Sequence, residues 1–490
     1  MKIKESVYIG LDIGTTHIKA AAYNGMGEIK GIARVSTPAH VTRDGGIYHL
    51  AGEIWMNTCK ALQSCVEQIK GNKIKAIGIA SMAESGVLLD KDNEPLGTVL
   101  AWYDQRPSQY VGLAKEKMSA LDFFRKTGLH PQAKYSLLKF MWMKENTPDV
   151  WNKAVCWLHL AEYIAFCLTG VKLGERSLAS RTMLFNIKEL DWDEDIIHEF
   201  GIRRELLQEV VSSAKVMGTV GKQASEYTGI TEGTPVTIAG HDHVVGSFGI
   251  GGTLEGDVTN SCGTAETLVT TIPSLDMSQF QQVPDFTIGC HVITGRYYSL
   301  LSVGTTGGIV EWFLNLTGWN YDQLLDVLAK ENGVNKHLGF YPFMTADKKT
   351  GNHVQLGWFG GALTQSYSGQ MAAAMIQGLS CLFRYQIEVL GGHQISMDRL
   401  LVTGGSTQNP YWMQAKANLV NRPLQLIRDS EGVARGAAIL AAKANQFIDE
   451  IPVPQALTVM PNQEHHLELT EYYENYYLKN MELYKQLAVV

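Results

Sequence analysis

No Cys-X-X-Cys pair occurs among the seven cysteines, which stand at 59, 65, 156, 167, 262, 290 and 381. Odd in number and scattered, they read as reduced thiols of a cytoplasmic protein. No uncharged apolar run approaches the ~20 residues needed to span a bilayer, and Asp12 breaks the first apolar run before it could serve as a signal peptide. Basic charge is not in excess: 42 Lys and Arg face 49 Asp and Glu, for a net charge of −7. Nucleic acid and anionic membrane surfaces are therefore not expected partners. Two nucleotide motifs are also missing. There is no GxxxxGK[ST], which excludes a Walker-type site, and "GLDIGTT" does not satisfy GxGxxG, so a dinucleotide fold is not indicated.

What remains is ordinary globular composition: 490 residues, 45% hydrophobic, 19% charged and 48 glycines. That length exceeds one small core and predicts two domains. The chain opens on "YIGLDIGTTHIKAAAYN", Tyr8 to Asn24, a buried strand interrupted by Asp12, then the small residues Gly14, Thr15 and Thr16, then a second strand-like run. "GEIKGIARVSTPAH" predicts a third strand, and "GEIWMNTCKALQSCVEQIK" an amphipathic helix with Trp55, Cys59, Leu62, Val66 and Ile69 on one stripe. "KIKAIGIASM" reads as a buried strand and "GVLLDKDNEPLGTVLAWYD" as strand, Asp-Asn turn, strand. This order argues for an α/β layer with part of its sheet antiparallel.

The second half echoes the first. "DVTNSCGTAETLVTTIP" is again strand, Gly-Thr turn (Gly263, Thr264), strand. A long helix follows in "SGQMAAAMIQGLSCLFRYQIEVL", then the strand "RLLVTGG", a helix in "NPYWMQAKANLV" and an Ala-rich helix in "GVARGAAILAAKA". Two Gly-Thr hairpins, each opening a half-chain, predict two related domains facing each other, divided in the Gly-rich stretch near 245–255.

A tight turn of Gly and Thr offers backbone N–H groups and hydroxyls with little obstruction, as a phosphate oxygen requires. A carboxylate such as Asp12 can hold Mg²⁺ through water while the ion bridges phosphates. The competing reading is a plain hairpin with a Gly turn and a buried aspartate; the second Gly-Thr turn and the Gly404–Gly405 turn after a buried strand weigh against it.

With these motifs in this order, the chain resembles the FGGY family of carbohydrate kinases, in the actin-like ATPase superfamily. "GLDIGTTHIKAAAYN" resembles the family's first phosphate motif, "AGHDHVVGSFG" the segment carrying its catalytic aspartate, "NSCGTAE" the second phosphate motif, and "LLVTGGSTQNPYWMQAKANLVNRPL…EGVARGAAILAA" the adenosine motif. "YSLLKFMWMKENTPDVW" resembles a family signature, with Lys134 where a small or aromatic residue is usual, and "SLASRTMLFNIKELDWD" resembles a stretch of glycerol kinases.

The resemblance implies two actin-like (ribonuclease H-like) α/β domains, each a mixed sheet flanked by helices, 1–247 and 248–490, with the active site in the cleft between them. It implies transfer of the ATP γ-phosphoryl to a hydroxyl of a small sugar or polyol, with Asp242 as general base. Asp12, Gly14, Thr15, Thr16 and Lys19 would bind ATP from the first domain. Gly263, Thr264, Gly404, Gly405, Ser406, Asn409 and Gly436 would bind it from the second. Asp12 and Asp242 would hold Mg²⁺, and Glu84, Trp102, Asp104, Lys134, Tyr135, Asp242 and His243 would line the acceptor pocket. A homodimer would be in keeping with the family.

Several of these residues admit a second reading. His241, Asp242 and His243 could be a metal cluster, or Asp242 could cap the segment that follows it. Asn409 could bond the adenine edge or cap a loop. Trp102 could stack on a sugar face or fill a core. Asp104 and Arg106 could bind hydroxyls or pair with each other at the surface. Ala83 stands where glycerol kinases carry an arginine, and Lys134 where they carry a tyrosine. These departures argue against strict glycerol specificity and for a ketose, such as a pentulose or tetrulose, or a larger polyol.

Overall fold

The computed structural model describes residues 5–277, 286–331, 333–346, 353–361, 367–428 and 431–487. Its first sheet grows from the opening hairpin. Strand Ser6–Ile13 turns at Gly14–Thr16 into His17–Asn24, which pairs antiparallel with Ile29–Ser36. On the other side of Ser6–Ile13, Lys73–Ser81 and then Pro235–His241 add in parallel, and Val216–Thr219 closes the edge antiparallel. Helix Ala51–Gln68 makes the crossover that the parallel pairing requires. It buries Ile54, Thr58, Cys59, Ala61, Leu62 and Cys65. Trp55 and Val66, expected on the central stripe, pack partly buried on its flank. Ala61 and Thr58 are the smaller residues, and turning them inward lets the helix lie closer to the sheet.

The second sheet repeats this plan. Asp257–Cys262, Glu266–Ile272 and Tyr297–Gly304 form an antiparallel meander, and Arg399–Thr403 and Leu424–Ile427 add in parallel. Edge strands Phe286–Cys290 and Ala456–Val459 extend it to seven strands. A meander followed by two parallel strands, twice over, is the structural form of the repeat seen as two Gly-Thr hairpins.

Two helices join the halves. Asp242–Gly249 leaves the tip of strand Pro235–His241, so the expected division at 247/248 falls inside a helix. Gly432–Ala444, from the second half, lies flat on the first sheet. A methyl on Gly10 would meet the Ala434 carbonyl oxygen at 1.7 Å, and one on Gly78 the Ala437 oxygen at 1.9 Å, so glycine in the strands and alanine in the helix are what this approach demands. The helix opens at Gly432. Gly436, expected at its start beside the adenine, sits one turn in and faces helix Asp242–Gly249, where its methyl would lie 2.1 Å from the Val245 oxygen.

The stretch between the first sheet's fourth and fifth strands is a set of short helices and strands of two to four residues. Its side chains Phe123, Phe140, Trp157 and Phe185 share one core cluster with Val258, Phe286, Leu301 and Phe383 of the second half. Hydrogen bonds cross there too: Ile288 N donates to Gly128 O at 2.9 Å, and Cys290 N to the Ser180 hydroxyl at 3.3 Å. Among the described residues no helix is long and apolar enough to cross a membrane.

Candidate active site

Asp12 is the last residue but one of its strand, opposite Lys19, and the turn beyond closes with Gly14 N donating to His17 O at 3.1 Å. Thr37 clamps this turn from outside, its hydroxyl on Gly14 O at 2.7 Å and its N–H on Thr16 O at 2.9 Å. Lys19 Nζ stands 3.6 Å from Asp12 and 3.2 Å from Glu431, the buried residue that precedes helix Gly432–Ala444. Arg34 also reaches Glu431, at 2.6 Å. Burial pushes the Asp12 carboxyl up to about 7; Lys19 opposes this, and the negative charges of Asp242 and Glu431 add to it.

The residues expected to take the acceptor centre on Glu84. Its φ of 62° is left-handed, a conformation that costs a non-glycine residue and points to function where surroundings enforce it. The enforcement is visible: buried Lys139 donates to the Glu84 carbonyl at 2.7 Å, and Arg181 bonds Glu84 Oε1 through Nε at 2.8 Å and through a second nitrogen at 2.7 Å. Burial pulls Lys139 down to about 7 against the pull of Glu84 and Asp104. Arg181 also donates to the Thr287 hydroxyl of the second half at 3.1 Å and lies 5.2 Å from the centre of the Tyr135 ring. Lys134 flanks that same buried ring at 5.3 Å. A guanidinium thus reaches Glu84 even though position 83 is alanine.

Trp102 is 37% exposed, which removes the reading of an ordinary core tryptophan. Its indole N–H donates to the Thr15 hydroxyl at 2.9 Å, so the loop carrying Trp102 and the first Gly-Thr turn are physically joined. We therefore expect Thr15→Val to raise the KM for ATP and, by a smaller factor, the KM for the acceptor, with Thr15→Ser near wild type. Steady-state kinetics with each substrate varied checks this; an acceptor KM raised as much as that for ATP would contradict it. Asp104 and Arg106 do pair, but in the interior: both Asp104 oxygens take guanidinium bonds of 2.6–3.1 Å, and Ile47 N adds another at 3.2 Å. With its oxygens so engaged, Asp104 supports the loop carrying Trp102.

Asp242 is the first residue of its helix, with its side chain 22% exposed. Its Oδ1 accepts from the N–H of the next residue, His243, at 2.7 Å, and no capping bond to the helix's first turn forms. His241 Nε2 lies 3.3 Å from the same oxygen. Burial raises the Asp242 carboxyl to about 7, with Glu84 adding to this and Arg181 opposing it. Burial and Arg181 hold His243 down at about 4, and His241 well below the usual histidine range with its Nδ1 3.4 Å from the Tyr298 hydroxyl. Both imidazoles are neutral at pH 7. No group of three or more His, Cys, Asp or Glu able to cage a metal occurs among the described residues. Mg²⁺ asks for less, one or two carboxylates plus phosphates and water, and the charge of Asp242 bears on Asp12 strongly enough to raise its carboxyl.

From these shifts kcat/KM for the acceptor should fall about tenfold per pH unit below an apparent pKa near 7, as a carboxyl takes a proton and leaves the active form. His243→Asn should retain this acid limb, since the imidazole titrates near 4. A pH profile flat from 5 to 8 would contradict the assignment.

Across the cleft, Gly263 and Thr264 form an exposed turn joined to the start of helix Thr306–Thr317, where Gly308 N donates to Thr264 O at 3.1 Å. These residues, Gly405, Ser406 and Trp412 line a cavity of about 320 Å³. A second cavity, about 190 Å³, joins Asp242 and His243 to Thr403, Gly404 and Gly432. Gly404 and Gly405 stand between the two. Asn409 is buried and caps helix Pro410–Val420, accepting from Trp412 N at 3.0 Å. Sequence reasoning missed Arg181, Lys139, Glu431 and Tyr298. Arg181 lay inside the quoted "SLASRTMLF" and Glu431 directly before "GVARG", but each acts on a partner far away in the chain.

Family models for the FGGY family of carbohydrate kinases match the chain twice: the N-terminal domain over residues 7–249 and the C-terminal domain over 258–445. A glycerol kinase from Thermococcus kodakarensis is 28% identical, over 90% of this chain and 89% of its own. An L-fuculokinase from Escherichia coli K12 is 26% identical, over 89% and 92%. Among solved structures, a xylulose kinase from Rhodospirillum rubrum superposes with a TM-score of 0.87 at 21% identity, covering 98% of this chain and 99% of its own.

Proposed function

Because the chain belongs to the FGGY family of carbohydrate kinases, we propose that Asp242 and the pocket around Glu84 deliver a hydroxyl of a ketose or larger polyol to the γ-phosphoryl of ATP. The protein is an ATP-dependent carbohydrate kinase with the two-domain actin-like fold. The observation that supports the finer reading is a cavity that joins Asp242 to the Gly404 turn of the other half, with the Glu84 charge near enough to raise the Asp242 carboxyl.

Phosphoryl transfer is loose and in line, so positioning and charge neutralisation dominate. Glu84, fixed by Arg181, accepts hydrogen bonds from acceptor hydroxyls, and the open face of Trp102 takes the sugar's C–H side. Asp242 orients the attacking hydroxyl and takes its proton. The two Gly-Thr turns hold phosphates from opposite sides. Asp12 and Asp242 would hold Mg²⁺, which when bound neutralises phosphate charge.

The relatives named above are a glycerol kinase, an L-fuculokinase and a xylulose kinase, and at 21–28% identity the acceptor of no one of them carries over to this chain. Support for a ketose or larger polyol comes from Ala83 and Lys134. The long Lys134 side chain reaches along Tyr135, and its charge helps hold both histidines neutral. The test is ADP release measured with tetruloses, pentuloses, hexuloses and polyols in turn. We expect slow release with ATP alone and strong acceleration by at least one ketose or polyol. Acceleration by glycerol alone would overturn the acceptor assignment, and acceleration by nothing would overturn the kinase reading of this site.

A further inference from the structure

Beneath the second Gly-Thr turn lies an ion pair with no exposed surface on either side chain, Lys416 with Glu266. Lys416 Nζ donates to Glu266 Oε1, to Asn260 Oδ1 at 3.0 Å and to Cys262 Sγ at 3.3 Å. It also lies 4.6 Å from the centre of the Phe383 ring and 5.4 Å from that of Trp412. Glu266 accepts from Asn260 Nδ2 at 2.9 Å on Oε1 and from the Thr306 hydroxyl at 2.7 Å on Oε2. Burial works to discharge Lys416; Cys262 and Glu266 outweigh it and keep the ammonium charged.

Buried ion pairs seldom add stability over apolar packing, because desolvation offsets attraction. What this one fixes is position. Cys262 and Glu266 are paired across the hairpin and are the two feet of the Gly263–Thr264–Ala265 turn. Thr306 begins the helix whose next two residues touch that turn; a methyl on Gly307 would stand 2.2 Å from the Gly263 oxygen. Lys416 comes from helix Pro410–Val420, whose Trp412 lines the 320 Å³ cavity with Gly263, Thr264 and Gly307. Four elements that surround one cavity therefore converge on one charge pair that does not itself face the cavity.

We infer that Lys416 and Glu266 are positioning residues for the nucleotide: through Thr306 and Trp412 they hold the turn amides, the helix start and the cavity wall in the arrangement that receives a nucleoside diphosphate. This rests on the nucleotide reading of that cavity. Preorganised geometry of this kind is worth large factors, since about 1 Å of misplacement can cost about 10² in rate.

The test uses MgADP binding by calorimetry, steady-state kinetics and thermal unfolding. The double variant Glu266→Gln/Lys416→Met removes both charges at once and avoids stranding either. It should unfold cooperatively yet bind MgADP at least about tenfold more weakly, with the acceptor KM within about twofold of wild type. Thr306→Val, which keeps volume and loses only the hydroxyl, should weaken MgADP by a few fold, and Thr306→Ser should restore it. A folded double variant with wild-type MgADP affinity, or equal affinities for Thr306→Val and Thr306→Ser, overturns the inference. Failure of the wild-type protein itself to bind MgADP would overturn the nucleotide reading, and the inference with it.

Discussion

Asp242→Asn should lower kcat by about 10²–10⁴-fold while leaving the dissociation constants of ATP and acceptor nearly unchanged. An alcohol is a poor nucleophile, and its proton must leave as the new O–P bond forms. A base with a pKa near the working pH serves best, and burial brings Asp242 to about 7. Asparagine keeps the shape and one oxygen for the His243 N–H but cannot take a proton. Its histidine neighbours are weaker bases, since burial and Arg181 hold both imidazoles below the usual histidine range. Because the loss falls in the transition state, calorimetry on the inactive protein should still detect both ligands. Retention of more than about a tenth of the wild-type kcat would remove Asp242 from the role of base.

Glu84→Gln should raise the acceptor KM by about 10- to 150-fold, equivalent to the ~1.5–3 kcal/mol of a hydrogen bond to a charged group, and leave the KM for ATP unchanged. Glu84→Ala should do this and also destabilise the fold by about 3–5 kcal/mol, because it strands the Arg181 guanidinium in the interior. The double variant Glu84→Ala/Arg181→Met should recover stability without recovering acceptor binding, which separates the two roles. Thermal unfolding and acceptor kinetics on the three proteins check this. An unaltered acceptor KM in Glu84→Gln would make the Glu84–Arg181 pair structural only.

These roles differ in how far the sequence could show them. The opening hairpin was legible because everything that makes it is local: alternating apolar residues, a small-residue turn and Asp12 registered against Lys19. The same held for Gly263–Thr264, and with the family resemblance it led to the two-domain actin-like fold that the chain has. Arg181 was illegible as a partner of Glu84, since the two lie 97 residues apart and no local pattern links them. Lys416 lies 150 residues from Glu266, inside a helix whose apolar neighbours suggested only packing. The Ala-rich stretch 432–444 read as a helix but not as one crossing to the first sheet. Its missing bulk is what allows that crossing, and Gly10 and Gly78, the complementary signal, lie more than 350 residues earlier. The short helices between 100 and 207 have too few turns for a periodic stripe to show, and their core is completed by the second half.

In the proposed reaction the γ-phosphoryl leaves ATP for a sugar or polyol hydroxyl held against Asp242. The direct test follows a radiolabelled γ-phosphate through one turnover with the best acceptor from the panel, in wild-type protein and in Asp242→Asn. Label should appear on the acceptor in the wild type, with little released as inorganic phosphate, and should stay on ATP in the variant. Label released only as inorganic phosphate, or the same transfer in both proteins, would contradict it.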